Sequence, residues 1–285
     1  MRLATIVHNG VEQGSIIVPE GYVTLAELNR VTGSEWQTDV FGLITSGGLE
    51  TLTHWYNGGG QEKLTELTVI PSSEASLAPL YRHPRKIWGI GMNYTADEVE
   101  LAELREKEEP VSFMKPDTSI IGEGESIVLP AQSERVTAEA ELAIIIGRTC
   151  RNVTEEEALR SIAGFAAAID TTASDIHARH MRFLTRAKSF DTFFTFGSEL
   201  MTPDEAGELT ELQVETWHNG GLAHAGKLTH MIFQPAFLIA FHSEVMTLLP
   251  GDVILTGTPG AAVIRNGDVV ECRVSGLSPL RSGVR

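Results

Sequence analysis

Cysteine is nearly absent from this 285-residue chain: Cys150 and Cys272 stand far apart and form no Cys-x-x-Cys pair. Two such residues cannot build a disulfide framework, which fits a reducing, cytoplasmic setting. Basic charge is also scarce. Lys and Arg number 22 against 38 Asp and Glu, for a net charge of −16, and no Lys/Arg-rich run appears. A nucleic-acid partner needs a basic face, so none is expected. Long apolar runs are missing too: stretches such as Ala236 to Phe241 are too short to span a bilayer, and MRLATIVHNG lacks the apolar core of a signal peptide. No membrane association is expected. There is no internal repeat.

What is present is enough apolar material, 42% of residues, to bury a full core. Residues 1 to about 70 alternate short β-like runs (LATIV, SIIV) with turns, and read as a small α/β or β-rich module. The Ser- and Pro-rich stretch PSSEASLAPLYRHP follows, and the domain boundary is placed inside it. This divides the chain into a small domain, 1–75, and a larger one, 76–285.

The most informative stretch runs from Val136 to Asp170. Side chains two apart on a strand point the same way, so Glu139 and Glu141 would face one side. Nearby carboxylates resist joint ionisation unless a cation or donor lies between them, so the pair suggests a bound cation. Asp170, ending the apolar run Phe165 to Ile169, is the candidate third ligand; Thr154 and Glu157 have capping-box spacing for a helix between the two runs. Parallel neighbouring strands would hold Glu139 and Asp170 roughly 20 Å apart at ~3.3 Å per residue. A shared ion therefore requires a mixed or rolled sheet. Three carboxylates make a hard-oxygen set suited to Mg²⁺ or Mn²⁺. The alternative is a solvated strand face with Asp170 capping a turn.

Other candidates are less specific. KIWGIGM (86 to 92) reads as a buried strand, followed by an acidic helix in which Asp97 and Glu100 would share a face. Lys115 is a lone lysine at a strand end, ordinarily a surface position. His177 and His180 have i, i+3 spacing, but no further ligand is in register and a solvated helix face accounts for them. Lys188, set among apolar and aromatic residues in AKSFDTF, is a candidate to neutralise an oxyanion. VILTGTPG lacks the Gly-Lys-Ser/Thr of a phosphate loop, yet its turn could aim backbone N–H groups and the Thr258 hydroxyl at a carboxylate.

Taken in order, GMNY (91–94), FMKP (113–116), AEAELAIIIG (138–147), GFAAAIDTTASD (164–175), KSFDTF (188–193), MIF (231–233) and LPGDVILTGTP (249–259) resemble the fumarylacetoacetate hydrolase family over roughly residues 84 to 285. The resemblance implies an α+β, β-rich fold, a rolled mixed β-sheet catalytic domain preceded here by the small N-terminal α/β domain, and usually a homodimer. It implies Mg²⁺ or Mn²⁺ on Glu139, Glu141 and Asp170, with substrate held by Lys188 and Thr258. Asn93 and Lys115, in the matching GMNY and FMKP motifs, join them as candidate substrate contacts. The family's usual histidine after G-x-N-Y reads Asp97 here, while its partner glutamate persists as Glu100. These two are the candidate proton carriers, on an acidic segment expected to act as a lid whose closure desolvates both. The family's Arg-Gln pair reads Ala223-His224, and His224 is a further acid/base candidate. The resulting expectation is a metal-dependent enzyme acting on a 2-oxo acid or its enol, with C–C hydrolysis first. Decarboxylation, tautomerisation or isomerisation, and dehydration of 2-keto-3-deoxy sugar acids are alternatives, as is a non-catalytic small-acid-binding protein.

Overall fold

Val136–Ile146 forms one strand and is continuously apolar from Leu142 to Ile146, and Ile162–Ala173 forms another, without a polar side chain from Ile162 to Ile169. A strand that reads apolar continuously, rather than alternately, is buried on both faces. The computed structural model, which describes residues 1–285, shows this directly. Ala140, Leu142 and Ile144 join one core cluster, whereas Ala143 and Ile145 join another. The two strands pair antiparallel along their whole length, with a register shift at Ile145/Ile146. Their link carries the short helix Glu155–Arg160, which starts in a reciprocal capping box. The Glu157 N–H donates to Thr154 Oγ1 (3.3 Å) and the Thr154 N–H to Glu157 Oε2 (2.9 Å).

This hairpin is the middle of a 14-stranded sheet. On one side Glu199–Met201 leads to Arg2–His8, Val11–Val18 and Gly21–Thr24, so the N-terminal strands extend the same sheet. On the other side Val253–Leu255 pairs antiparallel with Val136–Ile146 and parallel with Ile87–Gly91, which makes the sheet mixed. A second sheet of five strands, built around Gln213–His218 and Val269–Val274, packs against the hairpin's other face. There Thr216 Oγ1 accepts from the Ala140 N–H at 3.2 Å.

The two clusters divide the labour. N-terminal residues such as Leu25, Leu28, Leu43 and Leu52 pack on the face that carries Ala143, Ile145, Ala166 and Ala168. Further along that same face the odd positions of one strand and the even positions of its partner become Glu139, Glu141 and Asp170. The apolar cover ends where the charges begin. No helix is long and apolar enough to cross a membrane.

Candidate metal centre and its cavity

The antiparallel register sets Glu139 directly opposite Asp170, and Glu141 follows two residues on. Cross-strand partners and i, i+2 neighbours share a face. Ligand oxygens of all three lie within 4.8 Å of one another. Glu141 and Asp170 are buried, and Glu139 is half-buried.

Two lysines complete the cluster. Lys188, ending the short helix Leu184–Lys188, donates from Nζ to Glu139 Oε2 (2.7 Å) and Asp170 Oδ2 (2.5 Å). Lys115 is not at the surface: its buried Nζ donates to Asp170 Oδ1 (2.7 Å) and to the Lys188 carbonyl. Burial alone would raise the Asp170 carboxyl, but Lys115 and Lys188 outweigh it and hold it below the ordinary range. Burial likewise opposes the Lys188 charge, yet Asp170, Glu139 and Glu141 hold its pKa above the ordinary value. Lys115 is pushed down, because enclosure and the neighbouring Lys188 exceed what Asp170 returns.

Glu141 is the member left uncompensated. Burial raises its carboxyl well above normal, Asp170 and Glu139 add to the rise, and Lys188 and the Gly257 N–H only partly oppose it. Its sole hydrogen-bond donor is that N–H, at 2.6 Å from Oε2. Gly257 has φ +93°, and a Cβ there would lie 2.9 Å from that of Asn93, so only glycine brings the N–H so close without strain. Three carboxylates against two ammonium groups leave a formal charge of −1 among hard oxygen donors. A Mg²⁺- or Mn²⁺-sized cation fits that deficit.

The centre opens into a cavity of about 290 Å³ lined by Ile90, Met92, Phe113, Glu139, Glu141, His177, Leu184, Lys188 and Thr258, among others. Larger hollows, about 420 Å³ beside Arg148 and Asp204 and about 580 Å³ beside Tyr22 and Tyr56, lie elsewhere. In the first of these the Arg148–Glu50 pair is largely solvated, so it gathers no desolvated reactive groups.

The remaining candidates are placed as follows. Thr258 lines the cavity, its hydroxyl donating to the Gly260 carbonyl at 3.0 Å. Asn93 is fully buried and lies outside the lining. Its Nδ2 hydrogens go to the carbonyls of Phe233 and Thr256 and its Oδ1 accepts from the Phe233 N–H, so it ties the Thr256–Pro259 loop in place. Asp97 is the N-cap of helix Glu98–Lys107, accepting from the Val99 and Glu100 N–H groups, while Glu100 accepts from Thr95 Oγ1. Both are exposed and neither lines the cavity. Their helix is anchored at its far end by Arg105, which donates to the carbonyls of Met231 and Ile232. The His224 ring packs against Gly260, where a Cβ would come within 2.3 Å. His177 does line the cavity, whereas His180 is exposed. The i, i+3 spacing treated the two histidines alike; the only signal separating them is that His177 lies in the first turn after the strand bearing Asp170.

Fold and site together define a mixed, strand-rich α+β scaffold that carries a buried three-carboxylate cluster able to hold a metal ion. The family model for the fumarylacetoacetate (FAA) hydrolase C-terminal domain matches residues 86–285. A mitochondrial oxaloacetate tautomerase of Rattus norvegicus is 34% identical over 221 residues, 74% of this chain and 70% of that protein. Among solved structures, 5-carboxymethyl-2-hydroxymuconate delta-isomerase from Mycobacterium smegmatis is 28% identical with TM-score 0.77, covering 100% of this chain and 98% of that one. Maleylpyruvate hydrolase from Sphingobium sp. SYK-6, in complex with manganese(II) and pyruvate, is 27% identical with TM-score 0.79 at the same coverage. The chain belongs to the fumarylacetoacetate hydrolase family.

Proposed function

We propose that this chain is a divalent-metal-dependent enzyme that moves a proton on a 2-oxo acid, interconverting keto and enol forms or isomerising a conjugated enol. The observation that carries this reading is the convergence of Glu139, Glu141 and Asp170 with Lys188 at the end of one cavity. Glu139, Glu141 and Asp170 would hold Mg²⁺ or Mn²⁺; when bound, the ion supplies Lewis-acid stabilisation of a developing enolate. The chain's own groups do the rest. The Lys188 ammonium supplies fixed positive charge beside the reacting oxygens, and the Gly257 N–H keeps Glu141 aimed at the centre. Ile90 and Phe113 exclude water from the inner wall. His177 is assigned the proton transfer, as the acid–base side chain of the lining that does not belong to the carboxylate–lysine cluster.

The tautomerase and isomerase among the relatives support proton transfer. C–C hydrolysis is the second reading, favoured by the full-length likeness to maleylpyruvate hydrolase. It needs a base for water, and since Asp97 and Glu100 stand outside the cavity that role too would fall to His177. With their helix where it is, Glu100→Gln should leave kcat within about twofold. A loss of tenfold or more, with metal affinity unchanged, would show that the helix closes over the site and would give Glu100 the proton-carrier role.

Metal binding is tested separately. Mn²⁺ at 100 times its Kd should stabilise the wild type by about 2.7 kcal/mol, a rise of about 5 °C in Tm for a chain of this size. Glu141→Ala should abolish that rise. An undiminished rise in the variant would remove Glu141 from the ligand set.

A further inference from the structure

The cavity has two unlike ends. Every carboxylate lining it belongs to the metal centre, and Lys188, the one lysine there, already donates to Glu139 and Asp170. No arginine lines it; Arg186, two residues from Lys188, has its guanidinium over the Phe183 ring instead. The rest of the lining is mostly apolar, with Ile90, Met92, Val111, Phe113, Met181 and Leu184 set beside the polar Thr172, His177 and Thr258. Leu184 and Lys188 are four apart on one short helix and share a face, so the apolar wall begins one turn from the cationic group. Phe113 continues it, its ring centroid 4.8 Å from Lys188 Nζ.

A 2-oxo acid held by its carboxylate and oxo group at the charged end must direct its remaining carbons along this wall. Against the buried Ile90 and Phe113 a second carboxylate on that arm would lose water with no arginine and no unpaired lysine to meet it, His177 being taken as the proton carrier, which costs more than burying an alkyl or aryl group there. We infer that the substrate is a 2-oxo acid whose arm beyond C3 is apolar and uncharged, alkyl or aromatic, and not a 2-oxo dicarboxylate. This rests on the 2-oxo acid reading of the site given above. It also separates the chain from the relatives named for oxaloacetate and maleylpyruvate, both dicarboxylates.

N-substituted oxamates keep the adjacent carboxylate and carbonyl but cannot enolise, so they report binding independently of any reaction. Calorimetric titration of the Mn²⁺-saturated protein should show N-butyloxamate binding at least about tenfold more tightly than N-(2-carboxyethyl)oxamate. Leu184→Arg should narrow or reverse that ratio by about tenfold; Met181→Arg, exposed at the mouth, is the second variant should Leu184→Arg fail to fold. Equal affinities in the wild type, or tighter binding of the dicarboxylate, would overturn the inference while leaving the 2-oxo acid reading intact. If neither oxamate binds with Mn²⁺ present, that reading falls and the inference falls with it.

Discussion

Asp170→Ala should yield little folded protein. The carboxylate is fully buried and accepts from two ammonium groups, Lys115 Nζ on Oδ1 and Lys188 Nζ on Oδ2. Deleting it leaves Lys115 buried with only the Lys188 carbonyl for a partner. Removing one member of a buried ion pair costs about 3–5 kcal/mol, because the other charge stays desolvated. That is a large part of the 5–15 kcal/mol typical of a folded domain. Soluble yield and urea unfolding are the measurements, and loss of metal binding accompanies the loss of stability. The double variant Asp170→Ala/Lys115→Met should recover most of the deficit, since an apolar side chain of similar length then fills the Lys115 site. A single variant within about 1 kcal/mol of wild type would show that water or a moved side chain satisfies Lys115, and the buried-pair account would be wrong.

Lys188→Met should separate turnover from metal affinity, moving them in opposite directions. As a cation donating to Glu139 and Asp170, Lys188 competes for the oxygens that would hold the metal. Without it the cluster changes from formal −1 to −2, and Mn²⁺ affinity should rise. The enolate, however, loses a fixed positive charge in a water-poor site, where one such group is worth about 10² or more in rate. The expected result at saturating metal is therefore a fall of about 10² or more in kcat/KM with a lower Kd for Mn²⁺. Full activity would make Lys188 structural. A weaker metal site would mean that Lys188 organises the carboxylates instead of competing for them.

Several parts of this arrangement were legible before folding was considered. The period-two placement of Glu139 and Glu141, the Thr154/Glu157 capping box, the buried strands at 87–91 and 136–146 and the acidic helix all follow from local rules of side-chain direction, capping and burial. The requirement that Glu139 and Asp170 not lie on parallel neighbours was likewise available, because a strand advances a known distance per residue. Whether Gly257 would direct its N–H at a carboxylate was open; it directs it at Glu141.

Other features have no local signature. Lys115 reads as surface because a lysine is seldom buried alone, and its burial depends on an aspartate 55 positions away. His177 and His180 are alike in spacing and differ locally only in their distance from the strand bearing Asp170, yet one faces the cavity and the other solvent. Asp97 sits within a few residues of the cavity-lining Met92, but the chain turns away there and spends the carboxylate on a helix N-cap. Pattern along the chain sets which face of an element is apolar and which residues can share it. Which charges end up within hydrogen-bonding distance depends on strand register and on segments remote in sequence. The Glu139–Asp170 register and the two lysines from separate elements therefore belong to the tertiary structure, because buried charges are tolerated only where distant parts of the chain bring them partners.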